Sequence, residues 1–379
     1  MSLPDVPDVP DVVVIGGGIA GVSVAHELAS DRAVLLLETE PGLARHTTGR
    51  SAASYIPGHG PAPGRALIAA SRDRYDALAA EAGHGFLRPR PVLHVALDDA
   101  AERTLREELL VLDEATELDV DDAVHRWPAL RRDRLRAAGV VESACDADPL
   151  GLHEHWRRGL RARVGEIRTG SRVTSLERRG DGWRVGTGDD RVDTHAVVVA
   201  AGAWSDQVLA LAGIDPIGFT ALRRTIAVAR IPEGAPVRRD DPFVVAADGS
   251  FYAKPEGEYL LVSPSEENPA EPGDPRPDEL DVALALERVN AATTLGLRSV
   301  VTSWTGLRTF APDRTLVLGD RPAHPGLHLF AGQGGSGVET APAAAALAAS
   351  VVRGEAPPDD VARHLAAAGV DPGVFAAGR

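Results

Sequence analysis

The sequence predicts a two-domain α/β protein, α+β overall, in which one parallel sheet is assembled from separated stretches of chain. Three observations carry that expectation. Residues 11–15, DVVVI, form an unbroken apolar run of the kind buried on both faces of a parallel sheet. Similar runs recur far along the chain, in AVLLLE (33–38), THAVVVAAGAW (194–204) and GLHLFAG (326–332). Between them, residues 217–262 alternate polar and apolar positions, as half-buried antiparallel strands do.

Taken in order, GGGIAG (16–21) turns the first strand into a helix over 19–30, and AVLLLE completes a βαβ unit. An arginine- and alanine-rich helix follows at 65–82. From 86 to about 144 short strands alternate with amphipathic helices such as ERTLREELLVLDEA. A helix restarts at 148 in DPLGLHEHWRRGLRARV, and RVTSLER and GWRV read as strands before the run at 194. SFYAKPEGEYLLV (250–262) is a strand pair turned by Pro and Gly. NPAEPGDPRPDEL is an exposed loop leading to a helix at 279–293, and an alanine-rich helix spans about 338–353. The expected dinucleotide domain is therefore discontinuous, taking 11–85, 145–216 and 305–379. Residues 86–144 and 217–304 form a second, antiparallel-sheet substrate domain, and 1–10, acidic and rich in proline, a flexible tail.

Composition narrows the partners. The 379 residues are 44% hydrophobic, enough for more than one core. A net charge of -15 repels nucleic acid and anionic membrane surfaces, so any anion site must be local. Cys145 is the sole cysteine, which excludes an internal disulfide and suits a cytoplasmic setting. No apolar run reaches the length of an integral membrane segment, and the N-terminus lacks the basic start of a secretory leader. Lys254 is the single lysine, so nearly all positive charge is arginine.

Gly16, Gly18 and Gly21 stand as G-x-G-x-x-G between a predicted strand and a predicted helix. Gly16 permits the tight turn, Gly18 leaves room for a pyrophosphate, and Gly21 lets the helix lie close on the strand. Amides at the helix start hold phosphates. Glu38 ends the second strand, where a carboxylate binds ribose hydroxyls and repels a 2'-phosphate. The first unit is thus of Rossmann type; FAD and NAD share it.

VVVIGGGIAGVSVAHEL, TTGRSAAS, VVVAAGAWSD and LFAGQGGSGVETAP resemble, in that order, the flavin-contacting segments of the D-amino-acid oxidase-like FAD-dependent oxidoreductases. That family includes glycine and sarcosine oxidases and D-amino-acid dehydrogenases. PGLARHTTGRSAASY, GSFYAKPEGEYLLVSP and WTGLRTFAPD are similar to its D-arginine dehydrogenase branch. The resemblance implies a Rossmann-type FAD-binding domain with an inserted antiparallel-sheet substrate domain, and noncovalent FAD. It implies that Thr48, Gly49, Arg50 and Ser51 run past the pyrophosphate and ring, a surface ion pair being the other reading of Arg50. Val173 would meet the adenine, and Ala201 and Gly202 would lie beside the dinucleotide. Gly332, Gly334, Gly335 and Gly337 would let the chain pass under the isoalloxazine, with the next helix pointing its positive end at the ring. YIPGHGPAPG (55–64) is similar to a mobile loop over the substrate, an ordinary surface loop being the alternative.

By the same resemblance Arg224 and Arg308 grip a substrate carboxylate and Tyr252 hydrogen-bonds to it; Gln333 is expected to touch substrate or ring, and His59, in the 55–64 loop, to assist deprotonation or binding, a solvated loop histidine being the alternative. Arginine suits the task through its planar, permanently charged fork; for each arginine a domain-interface ion pair is the competing expectation. The implied reaction is hydride transfer from a Cα–H beside an amine, giving an imine that hydrolyses to a keto acid, with a quinone, another carrier or O2 as electron acceptor. Val92 stands where the D-arginine branch is expected to carry an acid, which points to a neutral or apolar substrate side chain, or a cyclic amine. Lys254 lies two residues from Tyr252 on a predicted strand and so on its face. The next strand has no lysine, which favours a dehydrogenase over an oxidase. His153 and His155 in HEH fall on different helix faces and suit no metal. Rival readings are oxidation of an N-methyl or other secondary amine, oxidation of a 2-hydroxy acid, and a flavin-binding scaffold or regulator without catalysis.

Overall fold

The computed structural model of the protein describes residues 9–112 and 114–378, so the expected tail falls outside it over residues 1–8. The parallel sheet runs in the order Val317–Asp320, Leu327–Ala331, Ala196–Val199, Val12–Ile15, Val34–Leu37, Gly165–Arg168. All neighbours are parallel except the edge strand Val317–Asp320. The first strand is central, and the chain winds outward from it on both sides. The switch point therefore lies between Val12–Ile15 and Ala196–Val199, where open α/β sheets hold their ligands.

Strand alternation divides the core in two. Val12, Val14, Val34 and Leu36 face a helical layer that includes Ile19–Leu28, Ala62–Ala82, Pro149–Ala162 and Gly337–Arg353. Val13, Ile15, Leu35 and Leu37 face the opposite way, onto Trp183, Val185 and Leu209. Trp183 and Val185 belong to an antiparallel meander of Ser175–Arg179, Gly182–Thr187 and Asp190–Thr194. Its third strand was not foreseen, because DRVDT has only one apolar residue to mark it.

The large second sheet draws on both expected insertions. They meet where Val92–Ala96 pairs with Phe243–Ala246, the one parallel pair in a sheet otherwise antiparallel among the described residues. Glu279–Ala292 and Val120–Arg126 contribute to the apolar core on one face. Its longest partnership joins Thr220–Arg230 to Val300–Phe310, from Thr220 opposite Phe310 to Ala229 opposite Val300. Val300–Phe310 crosses the expected boundary at 305 without a break, and so keeps Arg308 in the large sheet, opposite Leu222. A small sheet of Ser54–Tyr55, Cys145–Ala147 and Leu87–Pro89 joins the segments that enter and leave the first insertion. Among the described residues no helix is long and apolar enough to cross a membrane.

Candidate functional site: a cavity between the two sheets

A cavity of about 750 Å3 extends from the glycine loop at the switch point to the large sheet. Gly16 has φ +115°, and a Cβ there would strike the Ala200 carbonyl; a Cβ on Gly21 would strike the carbonyl of Gly16 itself. Gly16 and Gly18 line the cavity, while Gly21 lies beneath it as a packing contact. Glu38 reaches back across the loop: its Oε2 accepts the Gly17 N–H at 2.6 Å and its Oε1 the Glu40 N–H at 2.8 Å. A carboxylate has about four lone-pair sites, so acceptor capacity remains for ribose hydroxyls.

The stretch 47–51 closes one wall. Thr47–Arg50 is a 3-10 turn, tied to the glycine helix by the buried Thr48 Oγ1, which accepts the Ile19 N–H at 2.9 Å. The same turn is stitched to Val300–Phe310. Thr47 Oγ1 donates to the Leu307 carbonyl at 2.6 Å, Trp304 Nε1 donates to the Arg50 carbonyl, and Arg50 Nη1 donates to Thr305 O at 2.9 Å. Arg50 Nη2 meets Asp274 at 2.5 Å, and this contact holds the Asp274 carboxyl below its ordinary range. Arg50 and Ser51 line the cavity; Gly49 does not, its close neighbour being the Ala44 carbonyl. Val173, Ala201 and Gly202 line the opposite wall of this end.

His153 was passed over as half of an unsuitable metal pair. The structure makes it a prop: on the buried face of Pro149–Ala162, its Nε2–H donates to the Gly17 carbonyl at 3.0 Å. Burial pushes its pKa down, so the ring stays neutral with its proton on Nε2. The local sequence signals only an amphipathic helix, and the partner lies 136 residues away.

At the other end, Arg224, Tyr252, Arg308 and Gln333 converge on the cavity from three strands and the loop after Leu327–Ala331. The Tyr252 hydroxyl and Gln333 Nε2 are buried without a partner. The Arg308 guanidinium lies against Gly335, where a Cβ would come within 3.0 Å of Nη1, and it has no carboxylate partner among the described residues. Arg224 is held instead: Nε donates to the Glu266 carbonyl at 3.1 Å and Nη2 to Glu267 Oε1 at 3.4 Å. Burial and then the charge of Arg308 lower its pKa to about 10, so it keeps its charge at neutral pH. Among the described residues the cavity is lined by two carboxylates, Glu38 and Glu40, both at the dinucleotide end.

Gly334, Gly335 and Gly337 line the cavity, as does Val338 in the first turn of Gly337–Arg353. Gly334 has φ +55° and sits on the Phe310 ring, which a Cβ would strike; Gly332 packs on Phe219 and does not line the cavity. His59 does not line it either. His59 Nδ1–H donates to Glu339 Oε2 at 3.0 Å, while Glu339 Oε1 accepts the Ile56 N–H at 2.9 Å. The Glu339 carboxylate raises the His59 pKa. Lys254 is committed elsewhere: Nζ donates to the Ala52 carbonyl at 2.8 Å and to Asp146 Oδ1 at 3.1 Å, and it does not line the cavity that Tyr252 lines.

These features fit FAD. The glycine loop and the first turn of Ile19–Leu28 would offer amides to a pyrophosphate, and Glu38 keeps acceptor capacity for ribose hydroxyls. The unpartnered Gln333 amide and the start of Gly337–Arg353 line the wall farther along.

A family profile described as FAD dependent oxidoreductase (DAO) matches residues 11–351. Mitochondrial dimethylglycine dehydrogenase of Rattus norvegicus is 28% identical over 276 residues, which are 70% of this chain and 32% of that protein. The chain thus spans about a third of the length of that relative. Glycine oxidase of Pseudomonas putida is 26% identical over 272 residues, covering 65% of this chain and 72% of its own. The crystal structure of glycine oxidase from Geobacillus kaustophilus shares the fold, with a TM-score of 0.82, 19% identity and 98% of each chain covered. With the match extending from the first strand into the helix Gly337–Arg353, the chain belongs to the DAO family of FAD-dependent oxidoreductases.

Proposed function

We propose that the protein oxidises the Cα–N bond of a small carboxylate-bearing amine, a D-amino acid or a related amine with a neutral or apolar side chain. The observation that carries this reading is the unmet hydrogen bonding beside Arg308: a free guanidinium, a buried Tyr252 hydroxyl and a buried Gln333 amide share one wall of the cavity. Buried donors without acceptors are costly, and a substrate carboxylate would satisfy them.

Bound FAD supplies the hydride acceptor. The residues of the chain select and orient. Arg308 takes the carboxylate, and Tyr252 adds a hydrogen bond that fixes its rotation. Among the described residues no carboxylate lines this end to pair with an ammonium, and two guanidinium groups repel one, so the amine binds neutral with its lone pair available. The neighbouring apolar cluster of Val92, Ile226, Phe243 and the Tyr252 ring supports a neutral substrate side chain. Lys254, bound to Asp146, is not held free for work on O2, which favours a dehydrogenase with another electron acceptor.

The test is anaerobic mixing of the yellow holoprotein with a panel of D-amino acids, N-methyl amines and 2-hydroxy acids, following the loss of oxidised-flavin absorbance. Bleaching by neutral D-amino acids or secondary amines, and far slower bleaching by D-arginine, is the expected result. A panel in which nothing bleaches the flavin overturns the reading and leaves a noncatalytic flavoprotein.

A further inference from the structure

Arg224 and Arg308 are not equivalent, and the difference comes from outside the cavity. Residues 264–278 form a strap along Thr220–Arg230. Pro269–Ala270 pairs with Ala221 and Leu222, Arg223 N–H donates to the Asn268 carbonyl at 2.8 Å, and the Arg223 side chain donates to the Arg276 carbonyl. Ser265 holds φ +54°, a left-handed conformation unusual for a residue with a Cβ, and its N–H donates to Ser263 Oγ at 3.1 Å. That kink delivers two consecutive acids to the arginine. Glu266 Oε1 accepts the Thr225 N–H while its carbonyl accepts Arg224 Nε, and Glu267 Oε1 takes Arg224 Nη2. From the other side Arg314 Nη2 donates to the same Glu267 oxygen at 3.0 Å. Arg314 is itself stacked on the Phe310 ring, 3.9 Å from its centroid. Glu267 is therefore shared between a cavity arginine and an outer one.

We infer that Glu267 sets how many carboxylates the site accepts: by occupying Arg224 it leaves Arg308 as the one free guanidinium at the Tyr252 end of the cavity among the described residues, and so selects monocarboxylates over dicarboxylates. This rests on the carboxylate reading above. A substrate with one carboxylate finds one unpartnered arginine. A substrate with two must either displace Glu267 or leave its second charge without a partner. Glu267 lines no part of the cavity, so it acts through Arg224 as a positioning residue.

The test uses two carboxylates that cannot be oxidised at a Cα–N bond, butyrate and succinate, titrated into the FAD-loaded protein by calorimetry and by the flavin difference spectrum. Glu267→Gln releases Arg224 and is expected to shift the ratio of affinities towards succinate by about tenfold, the size of a contact with a charged group. Arg314→Gln removes the competitor for Glu267, tightens its hold on Arg224, and is expected to shift the ratio the opposite way. A merely structural role for the strap would move both variants in the same direction. Equal ratios in wild type and Glu267→Gln, or shifts of the same sign in both variants, overturn the inference while leaving the carboxylate site standing. Should Glu267→Gln fail to hold FAD, the direction seen in Arg314→Gln decides. If neither probe binds the wild type, the carboxylate reading falls and the inference with it.

Discussion

At the glycine end of the cavity several polar groups already have partners within the protein. Gly17 N–H is on Glu38, Ile19 N–H on Thr48, and the Gly17 carbonyl on His153. At the other end the Tyr252 hydroxyl and Gln333 Nε2 are buried without a partner, beside an arginine that has no carboxylate partner among the described residues. The first end is built from backbone whose shape is fixed before a ligand arrives; the second is built from side chains whose hydrogen bonds a ligand must complete. On the proposed function, rigidity belongs to cofactor binding and unmet polarity to substrate recognition.

The largest expected effect comes from disturbing the rigid end. A Cβ at Gly21 meets backbone that cannot move aside, so Gly21→Ala is expected to cost about 3 kcal/mol and to abolish the yellow colour on purification. Gly335→Ala presses only on the end of the Arg308 side chain, so it should retain FAD while weakening substrate binding. Colour lost from the second variant and kept in the first would break the comparison.

At the unmet end the effects fall on turnover and not on cofactor content. Arg308→Gln is expected to lower kcat/KM by about two orders of magnitude, or about 3 kcal/mol. Tyr252→Phe should lower it by about fivefold to tenfold, near 1 kcal/mol. Tyr252→Phe should also leave the melting temperature unchanged or raised, because it removes a buried hydroxyl without a partner. A fall in melting temperature would mean that the hydroxyl is satisfied within the protein.

The smallest effect concerns His59 and Glu339, which tether the loop at 56–59 to the helix Gly337–Arg353. His59 has its pKa raised above the ordinary 6.5, first by Glu339. Its contribution to stability is therefore full below pH 6.5 and is lost as pH rises through the folded-state value. His59 is exposed, so the contribution is modest, and His59→Gln should lower the melting temperature by no more than about 2 °C. That difference should be seen at pH 5.5 and fade as pH rises above the ordinary histidine range in parallel melts; a constant difference would remove the pair from the account.

Much of the fold was legible because its signals are local. DVVVI, AVLLLE and the glycine triplet declare their geometry through spacing alone, and Glu38 follows at a fixed distance from them. The helices expected at 65–82 and 338–353 formed as Ala62–Ala82 and Gly337–Arg353. Short strands such as Ser54–Tyr55 were missed because two residues carry no periodicity. The substrate end was another matter. Arg224, Tyr252, Arg308 and Gln333 form no motif among themselves, and only likeness to a family named them. Strand spacing placed Lys254 on the face of Tyr252, yet folding gave it to Asp146, 108 residues away.

By itself, then, the sequence determined the parallel sheet, the dinucleotide loop and the separation of the chain into two kinds of sheet, since each follows from the period of side chains along one backbone. The tertiary structure alone decided which charges are spent and which are free: Arg224 on Glu267, Arg50 on Asp274, Lys254 on Asp146, and Arg308 on none of the described carboxylates. Charges pair through space over distances of a few ångströms, and no spacing along the chain records which strands will cross there.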